Sequence, residues 1–205
     1  SVNVDDYTGV RVVLEYHSAD SSAYLLNLNT GEESAVWTGG DLWPSYLGNG
    51  WYSVVKPDST EGQGQLFLMR WGDQAPVYTL PGADGVTLDG EDGTIAAVTY
   101  DTTNPEDNSS QGSVAFFDLE SGKELSRQYD CYYAGYCDGL GYLVTHYQNW
   151  QTSAYDKLGN RLLPDSYYHI TSVGDGWYSV YNDIYAGLID QNGQWLIRFC
   201  VANTD

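Results

Sequence analysis

Short apolar runs separated by polar turns cover the whole chain, and no segment keeps the three-to-four-residue apolar spacing of an amphipathic helix. Five of these runs are Tyr24-Leu25-Leu26, Leu66-Phe67-Leu68-Met69, Val114-Ala115-Phe116-Phe117, Ser153-Ala154-Tyr155 and Ala186-Gly187-Leu188-Ile189. Each leads into a turn with a glycine, at Gly31, Gly72, Gly122, Gly159 and Gly193, in steps of 41, 50, 37 and 34 residues. Glycine supplies the positive φ that a tight hairpin demands. A second run follows each turn: Ser34-Ala35-Val36-Trp37, Pro76-Val77-Tyr78, the more polar Glu124-Leu125-Ser126-Arg127, Arg161-Leu162-Leu163 and Trp195-Leu196-Ile197. The pattern predicts five strand–turn–strand hairpins.

A second marker runs beside the first. Gly50-Trp51-Tyr52-Ser53-Val54 returns as Gly176-Trp177-Tyr178-Ser179-Val180, 126 residues on, or three steps of 42. Gly93, before Thr94-Ile95-Ala96-Ala97-Val98, and Gly141, before Tyr142-Leu143-Val144-Thr145, fill the interval in steps of 43, 48 and 35. Together the two markers give each unit four short strands, A to D. Unit two is the clearest, with A near Trp43–Leu47, B over Trp51–Val55, a polar loop through Ser59–Gln63, C over Leu66–Arg70 and D over Val77–Leu80. Unit three has a longer B–C loop, Asp101–Gly112, and unit one lacks a strand A unless Val2–Val4 supplies it. Four-stranded units of about 40 residues in series are the mark of a propeller, because one such sheet cannot bury both its faces and must stack on neighbours. The expected fold is all-β, a β-propeller of five four-stranded blades forming a single domain over residues 1–205. An open arc cut from a longer ring is one alternative, and two packed sheets, which the 126-residue match disfavours, are another.

Tyr185-Ala186-Gly187-Leu188-Ile189-Asp190-Gln191-Asn192-Gly193-Gln194-Trp195-Leu196-Ile197 resembles the bacterial WG repeat, which places a turn glycine, Trp and two aliphatics after a Gly-Leu-Ile-Asp segment. Tyr155-Asp156-Lys157-Leu158-Gly159-Asn160 is a fainter echo. Ala115–Leu125, with Asp118 and Ser121-Gly122-Lys123-Glu124, is similar to the C–D hairpin of quinoprotein-type propellers. The resemblance covers about one unit well and departs from the pattern at Trp37, Tyr78 and Leu162. It implies a β-repeat protein of the kind found at bacterial surfaces, and it transfers no catalytic residue set.

Charge narrows the partners. Eight basic residues stand against 28 acidic ones, a net charge of −20. Such a field repels phosphate backbones and anionic lipid, which excludes nucleic acid as an expected partner. No apolar run reaches the ~20 residues of a membrane helix, so membrane insertion is not expected. Few lysines and many Tyr, Asn, Ser, Thr and Gly point to an extracellular or cell-surface setting. Of the three cysteines, Cys131 and Cys137 are close enough in sequence to pair as a disulfide across a tight turn in an oxidising compartment, and Cys200 reads as a small buried hydrophobe in the last strand. Neither a zinc site nor a cofactor is expected: the cysteine spacing is wide for a zinc knuckle with His146 the only imidazole nearby, and no glycine-rich phosphate loop follows a strand.

Propeller ligands meet the axial mouth, where the innermost strands converge. The segments before the strand-B glycines are rich in rings: Trp43 and Tyr46; Tyr132, Tyr133 and Tyr136; Tyr167, Tyr168 and His169. Rings with polar tips can stack on a sugar or grip a peptide. Trp43, Tyr46, Tyr133, Tyr136, Tyr168 and His169 are therefore the candidate ligand contacts, for a carbohydrate or protein ligand and without catalysis. Blade-to-blade packing is the competing role for each of them.

An alternative is a small glycoside-processing enzyme using acids on or beside the inner strands: Asp41, Asp84, Asp89, Asp138, Asp165 and Asp175. Against it, acids are abundant everywhere, and Asp89, Asp138 and Asp175 sit beside glycine where Asp serves turns. A third reading is a structural repeat module of a larger surface protein. Asp89-Gly90-Glu91-Asp92-Gly93, and Asp101, Glu106 and Asp107, read as solvated turns rather than calcium sites. His17, His146 and His169 are scattered, and no nucleophile motif accompanies them.

Overall fold

The structure is a computed structural model that describes residues 2–5, 10–17, 22–38, 43–56, 64–70, 73, 75–90, 93–103 and 110–201. Among the described residues there are nineteen strands and no helix. The first sheet is β1 (Val2–Asp5), β2 (Val10–His17), β3 (Ser22–Asn27) and β4 (Glu33–Thr38). The second is β5 (Trp43–Gly48), β6 (Trp51–Lys56), β7 (Gln65–Arg70) and β8 (Tyr78–Pro81). The third is β9 (Gly85–Leu88), β10 (Ile95–Thr103), β11 (Ser110–Asp118) and β12 (Lys123–Tyr129). The fourth has three strands, β13 (Cys131–Cys137), β14 (Gly141–His146) and β15 (Thr152–Tyr155). The fifth is β16 (His169–Gly174), β17 (Trp177–Tyr181), β18 (Tyr185–Asp190) and β19 (Trp195–Cys200). Strand order in space follows strand order in the chain throughout. Serial four-stranded antiparallel meanders of this kind define an all-β, β-propeller fold.

The expected elements form with three differences. β1 supplies strand A of unit one. β10 and β11 extend as a nine-residue pair, from Ile95↔Asp118 to Thr103↔Ser110, and shorten the expected Asp101–Gly112 loop, because its polar ends complete the backbone ladder. In unit four the expected last strand, Arg161-Leu162-Leu163, makes only the isolated bridge Tyr155↔Arg161, and a second bridge, Thr152↔Tyr167, follows beyond it. Pro164 lies between these bridges and has no N–H to give to a ladder.

The chain divides into two compact units, Ser1–Leu88 and Asp89–Asp205. In the first, Trp51, Tyr52 and Val54 of β6 and Leu66 to Met69 of β7 are buried. Consecutive residues of a strand point to opposite faces. A continuous buried run therefore means that both faces of the sheet are covered.

The second unit shows what covers them. Tyr142 and Val144 of β14 join Ile95, Ala97, Val114 and Phe116 in one core cluster. Leu143, between them, joins Ile170, Tyr178, Val180 and Ile189 in another. The fourth sheet is thus packed between the third and the fifth, and the alternation along β14 divides its side chains between two cores.

The same contact pins successive sheets twice. The Tyr142 hydroxyl donates to the Asp89 carbonyl oxygen at 3.5 Å, in the turn from β9 to β10. The Tyr178 hydroxyl donates to the Asp138 carbonyl oxygen at 3.0 Å, in the turn from β13 to β14. Each turn needs glycine at the next position: a Cβ at Gly90 or Gly139 would stand 2.8 Å or 2.7 Å from the arriving tyrosine oxygen. A buried ring from one sheet enters a cradle that a side chain would fill.

Two glycine substitutions separate backbone strain from crowding. Both Gly141 (φ +98°) and Gly176 (φ +73°) are left-handed, but a Cβ at Gly141 meets the Tyr155 carbonyl oxygen at 2.6 Å while one at Gly176 meets nothing within 4 Å. Gly176→Ala is expected to cost about 1 kcal/mol and Gly141→Ala about 3 kcal/mol or more, measured by denaturant unfolding. Equal losses would remove the steric part of this account.

Candidate ligand-binding site

Four of the six ring residues expected at a mouth lie in the second unit, where they fall into separate places. Tyr133 and Tyr136, on β13, face the third sheet and pack, half-buried, against the core around Phe116 and Tyr142. The Tyr133 hydroxyl donates to Asp89 Oδ2 at 2.7 Å, and burial followed by that carboxylate raises the phenol far above its ordinary value. Tyr136 meets Tyr142 edge to face, with ring centroids 5.1 Å apart. These two residues join sheet to sheet. Tyr46, on β5 of the first unit, is half-buried, and the side chain of Trp43 lies outside the described residues.

Tyr168 and His169 are different. His169 begins β16 and Tyr168 immediately precedes it; β17 ends opposite them, with His169 paired to Tyr181 and the Tyr168 N–H donating to the Tyr181 carbonyl at 2.8 Å. Tyr168 and Tyr181 are exposed, at 37% and 47%. His169 stacks on Tyr181 (5.9 Å, 24°), and Tyr168 is tilted against the same ring at 6.1 Å (41°). The Tyr168 hydroxyl donates to Asp183 Oδ1 at 2.8 Å, and the carboxylate raises the phenol above its ordinary value. His169 Nε2 and Thr171 Oγ1 share a hydrogen bond of 2.6 Å. Tyr167, next in sequence to this group, points the other way: it is fully buried, burial raises its phenol to about 12, and its hydroxyl finds no partner among the described residues.

A further ring group occupies the same end of the fourth sheet. Tyr132, at the start of β13, contacts Tyr147 at 5.7 Å and Trp150 at 6.5 Å, both in the turn from β14 to β15. The Gln151 side chain lies against the Tyr168 hydroxyl, which brings the two ring groups side by side. Tyr147, Trp150 and Tyr181 were not among the expected contacts. Each lies at or beyond the end of a strand B, in a segment that reads as a connecting turn. The signal available was a tryptophan in a polar turn, Gln148-Asn149-Trp150-Gln151.

Three of the described carboxylates hold backbone turns. Asp118, Asp156 and Asp190 each accept from amide N–H groups of their own hairpin turn, as in Asn160 N to Asp156 Oδ1 and Gln194 N to Asp190 Oδ1, both 2.8 Å. Such bonds hold all three below the usual carboxylate range. For Asp118 the largest lowering comes from Ser121, for Asp190 from the Gln194 amide, and for Asp156 from Asn160, against some burial. Asp89 accepts from Tyr133, while Asp84, Asp138, Asp165 and Asp175 are exposed. Asp41, Glu91, Asp92, Glu106 and Asp107, the Ser59–Gln63 loop and Gly72 lie outside the described residues, as do the side chains of His17, Trp37 and Asp101. Among the described residues no group of three His, Cys, Asp or Glu is placed to hold a metal ion.

The cysteine expectations are corrected. Cys131 and Cys137 are free thiols at the two ends of one strand, β13, roughly 20 Å apart at extended rise, where a disulfide needs Cα atoms within about 7 Å. No turn intervenes, because β13 runs on through a bulge between Tyr133 and Gly135. Burial raises Cys131 to about 11 and raises Cys137 too, so both thiols stay protonated and inert. Cys200 is exposed on β19, the outer strand of the fifth sheet, rather than buried. His146 shares a hydrogen bond with Tyr155 (3.2 Å), and burial, then Arg161, holds its imidazole below its ordinary value.

No protein-family model and no curated protein matches this chain. Among solved structures it is similar to the Pyrococcus horikoshii acylaminoacyl peptidase (TM-score 0.52, 9% identity), covering 91% of this chain and 37% of that one. It is also similar to a eukaryotic initiation factor (TM-score 0.53, 12% identity), covering 97% of this chain and 54% of that one. At these identities the likeness is one of fold alone. The chain spans between about a third and about half of the proteins it resembles. No helix among the described residues is long and apolar enough to cross a membrane.

The turn carboxylates give a pH expectation. Their folded pKa values are depressed, so their contribution is full above the unfolded carboxylate range, near 4, and is lost as pH falls through the folded values. The melting temperature should fall as pH is lowered from about 4 to about 2. Asp156→Asn keeps an acceptor oxygen and cannot titrate, so it should flatten that fall in a calorimetric series.

Proposed function

We propose that this chain is a non-catalytic binding propeller that takes a glycan or protein ligand at the ring-bearing end of its fourth and fifth sheets. The observation that carries the reading is the exposed group Tyr168–Tyr181–His169, in which three rings with polar tips stand together at the ends of rigid strands. A contiguous group of exposed rings, unlike a single exposed side chain, marks an interaction site. Tyrosine at a rigid site gives contact area and a hydrogen-bonding tip with little loss of side-chain freedom. Strands fix the ring positions, so the site is preorganised.

The use of the carboxylates supports a non-catalytic role. Asp89, one of the acids considered for catalysis, is bound by the Tyr133 hydroxyl at 2.7 Å, and Asp118, Asp156 and Asp190 are taken up by their own hairpin turns. The resemblance to WG-repeat and quinoprotein-like propellers belongs to the same proposal. The stretch that carries it, Tyr185–Ile197, forms the β18–β19 hairpin, turned by Gly193 at φ +77°. The composition, acidic and poor in lysine, agrees with a bacterial extracellular or cell-surface location.

The test is a glycan array and a displayed-peptide library probed with the same protein, with product analysis of every bound sugar. A ligand should be retained without turnover, and Tyr181→Ala should weaken it at least about tenfold, a typical loss for a ring anchor. Release of a cleaved sugar would replace this reading with the glycoside-processing one.

A further inference from the structure

The turn from β14 to β15 holds a tryptophan where the chain elsewhere uses glycine. In that turn the Trp150 N–H donates to the His146 carbonyl at 2.9 Å and the His146 N–H donates to the Gln151 carbonyl at 3.0 Å. The turn from β3 to β4 closes with the same pair of bonds, Gly31 N–H to the Asn27 carbonyl at 2.7 Å and Asn27 N–H to the Glu32 carbonyl at 2.9 Å. A third turn repeats the first of these bonds, Gly122 N–H to the Asp118 carbonyl at 2.9 Å. The residue at the shared position is left-handed in all three, with φ of 74° at Gly31, 69° at Gly122 and 57° at Trp150. Glycine takes this conformation freely, and a bulky side chain takes it at a cost of order 1–3 kcal/mol.

Burial does not offset that cost. Trp150 is 61% exposed. Its ring meets Tyr147 edge-on (6.0 Å, 85°) and is tilted against Tyr132 (6.5 Å, 53°), itself 38% exposed. Tyr147 is fixed from below, since its hydroxyl occupies the space a Cβ at Gly112 would need, 2.9 Å away. Its own N–H donates to the Asp130 carbonyl at 2.9 Å. The flanking side chains are amides: Asn149 and Gln151 bond each other (Nδ2 to Oε1, 3.4 Å), and Asn149 Oδ1 clasps the Gln151 N–H at 3.0 Å. From Tyr147 to Thr152 there is no charged and no aliphatic side chain.

We infer that Trp150, flanked by Tyr132 and Tyr147, is a stacking platform for one sugar ring of a neutral glycan. This rests on the reading of the chain as a binding module and names its ligand class. A pyranose presents an apolar C–H face to an indole and equatorial hydroxyls to planar amides, and those two chemistries are what the turn displays. A peptide bound as a helix or as an added strand would call for an aliphatic groove or an open strand edge, which this turn does not offer. An anionic polysaccharide would enter the field of a chain with net charge −20. A strained residue in the open is explained when its position, rather than its packing, is what the turn maintains.

The experiment titrates the 205-residue chain with cellohexaose, xylohexaose, mannohexaose and chitohexaose, and with polygalacturonate as the charged control, by calorimetry and tryptophan emission. At least one neutral hexasaccharide should bind and shift the emission to the blue. Trp150→Ala should weaken it about tenfold or more and abolish the shift, while Trp150→Phe stays within about fivefold. Trp150→Asn, which accepts the left-handed backbone, should lose binding with its melting temperature within about 4 °C of the parent. Failure of every neutral sugar to bind, preference for polygalacturonate, or binding that survives Trp150→Asn would overturn the inference. So would a larger fall in melting temperature, since Trp150 would then be a packing residue. Sugar or peptide binding lost in Tyr181→Ala but intact in Trp150→Asn would leave the binding-module reading standing and remove this platform alone.

Discussion

A strand buried on both faces has no face to give to water, and the arrangement of this molecule follows from that. β14 runs Tyr142-Leu143-Val144-Thr145 with all four residues buried. The pleat sends Tyr142 and Val144 to one neighbour and Leu143 to the other. A single sheet of this composition would expose one apolar surface or the other, so it is stable only between two more. Burying such apolar side chains contributes about 1.5–3 kcal/mol each, against about 0.5–1.5 kcal/mol net for a typical neutral hydrogen bond. Thr145, the polar member of the run, is accommodated by its hydroxyl, which shares a 2.8 Å bond with Thr152 on the neighbouring strand.

Hydrogen bonds then set how the stacked sheets register. Apolar faces alone permit sliding. The two tyrosine contacts, Tyr142 to the Asp89 carbonyl and Tyr178 to the Asp138 carbonyl, are directional and recur at the same place in successive sheets. Each requires an Asp-Gly turn on one sheet and a tyrosine near the start of strand B on the next. The dipeptides Asp89-Gly90 and Asp138-Gly139 therefore serve the turn and the adjoining sheet together. Tyr142 and Tyr178 are used in this way. Tyr133 and Tyr136 belong to the same construction, which is why two rings expected at a ligand mouth are found joining sheets.

With the interior occupied by these contacts, rings are left free at the opposite ends of the same strands. Tyr132, Trp150, Tyr168 and Tyr181 share exposure. The separation of roles is geometric. On β13, Tyr133 and Tyr136 pair with Val144 and Tyr142, toward the turn into β14, whereas Tyr132 pairs with Thr145 at the far end, beside the polar turn.

Strand content and the four-strand unit were legible in the chain because both follow from local rules. Side chains alternate every second residue, and hairpins need positive φ at fixed points, so Gly31, Gly122, Gly159 and Gly193 mark turns whatever surrounds them. The loss of the fourth strand in the fourth sheet was also written locally, at Pro164, but an apolar Leu162-Leu163 masked it. The fate of each ring was not legible. Tyr132 and Tyr133 are adjacent and chemically identical, and the pleat sends one toward water and the other into a core. The spacing of Cys131 and Cys137 says nothing about whether the chain between them turns or runs straight, and only the ladder to β14 decides that it runs straight. Sequence determined which residues form strands and where they turn, since those depend on near neighbours along the chain. Tertiary structure alone decided which aromatic faces are covered, since that depends on which sheet arrives beside them.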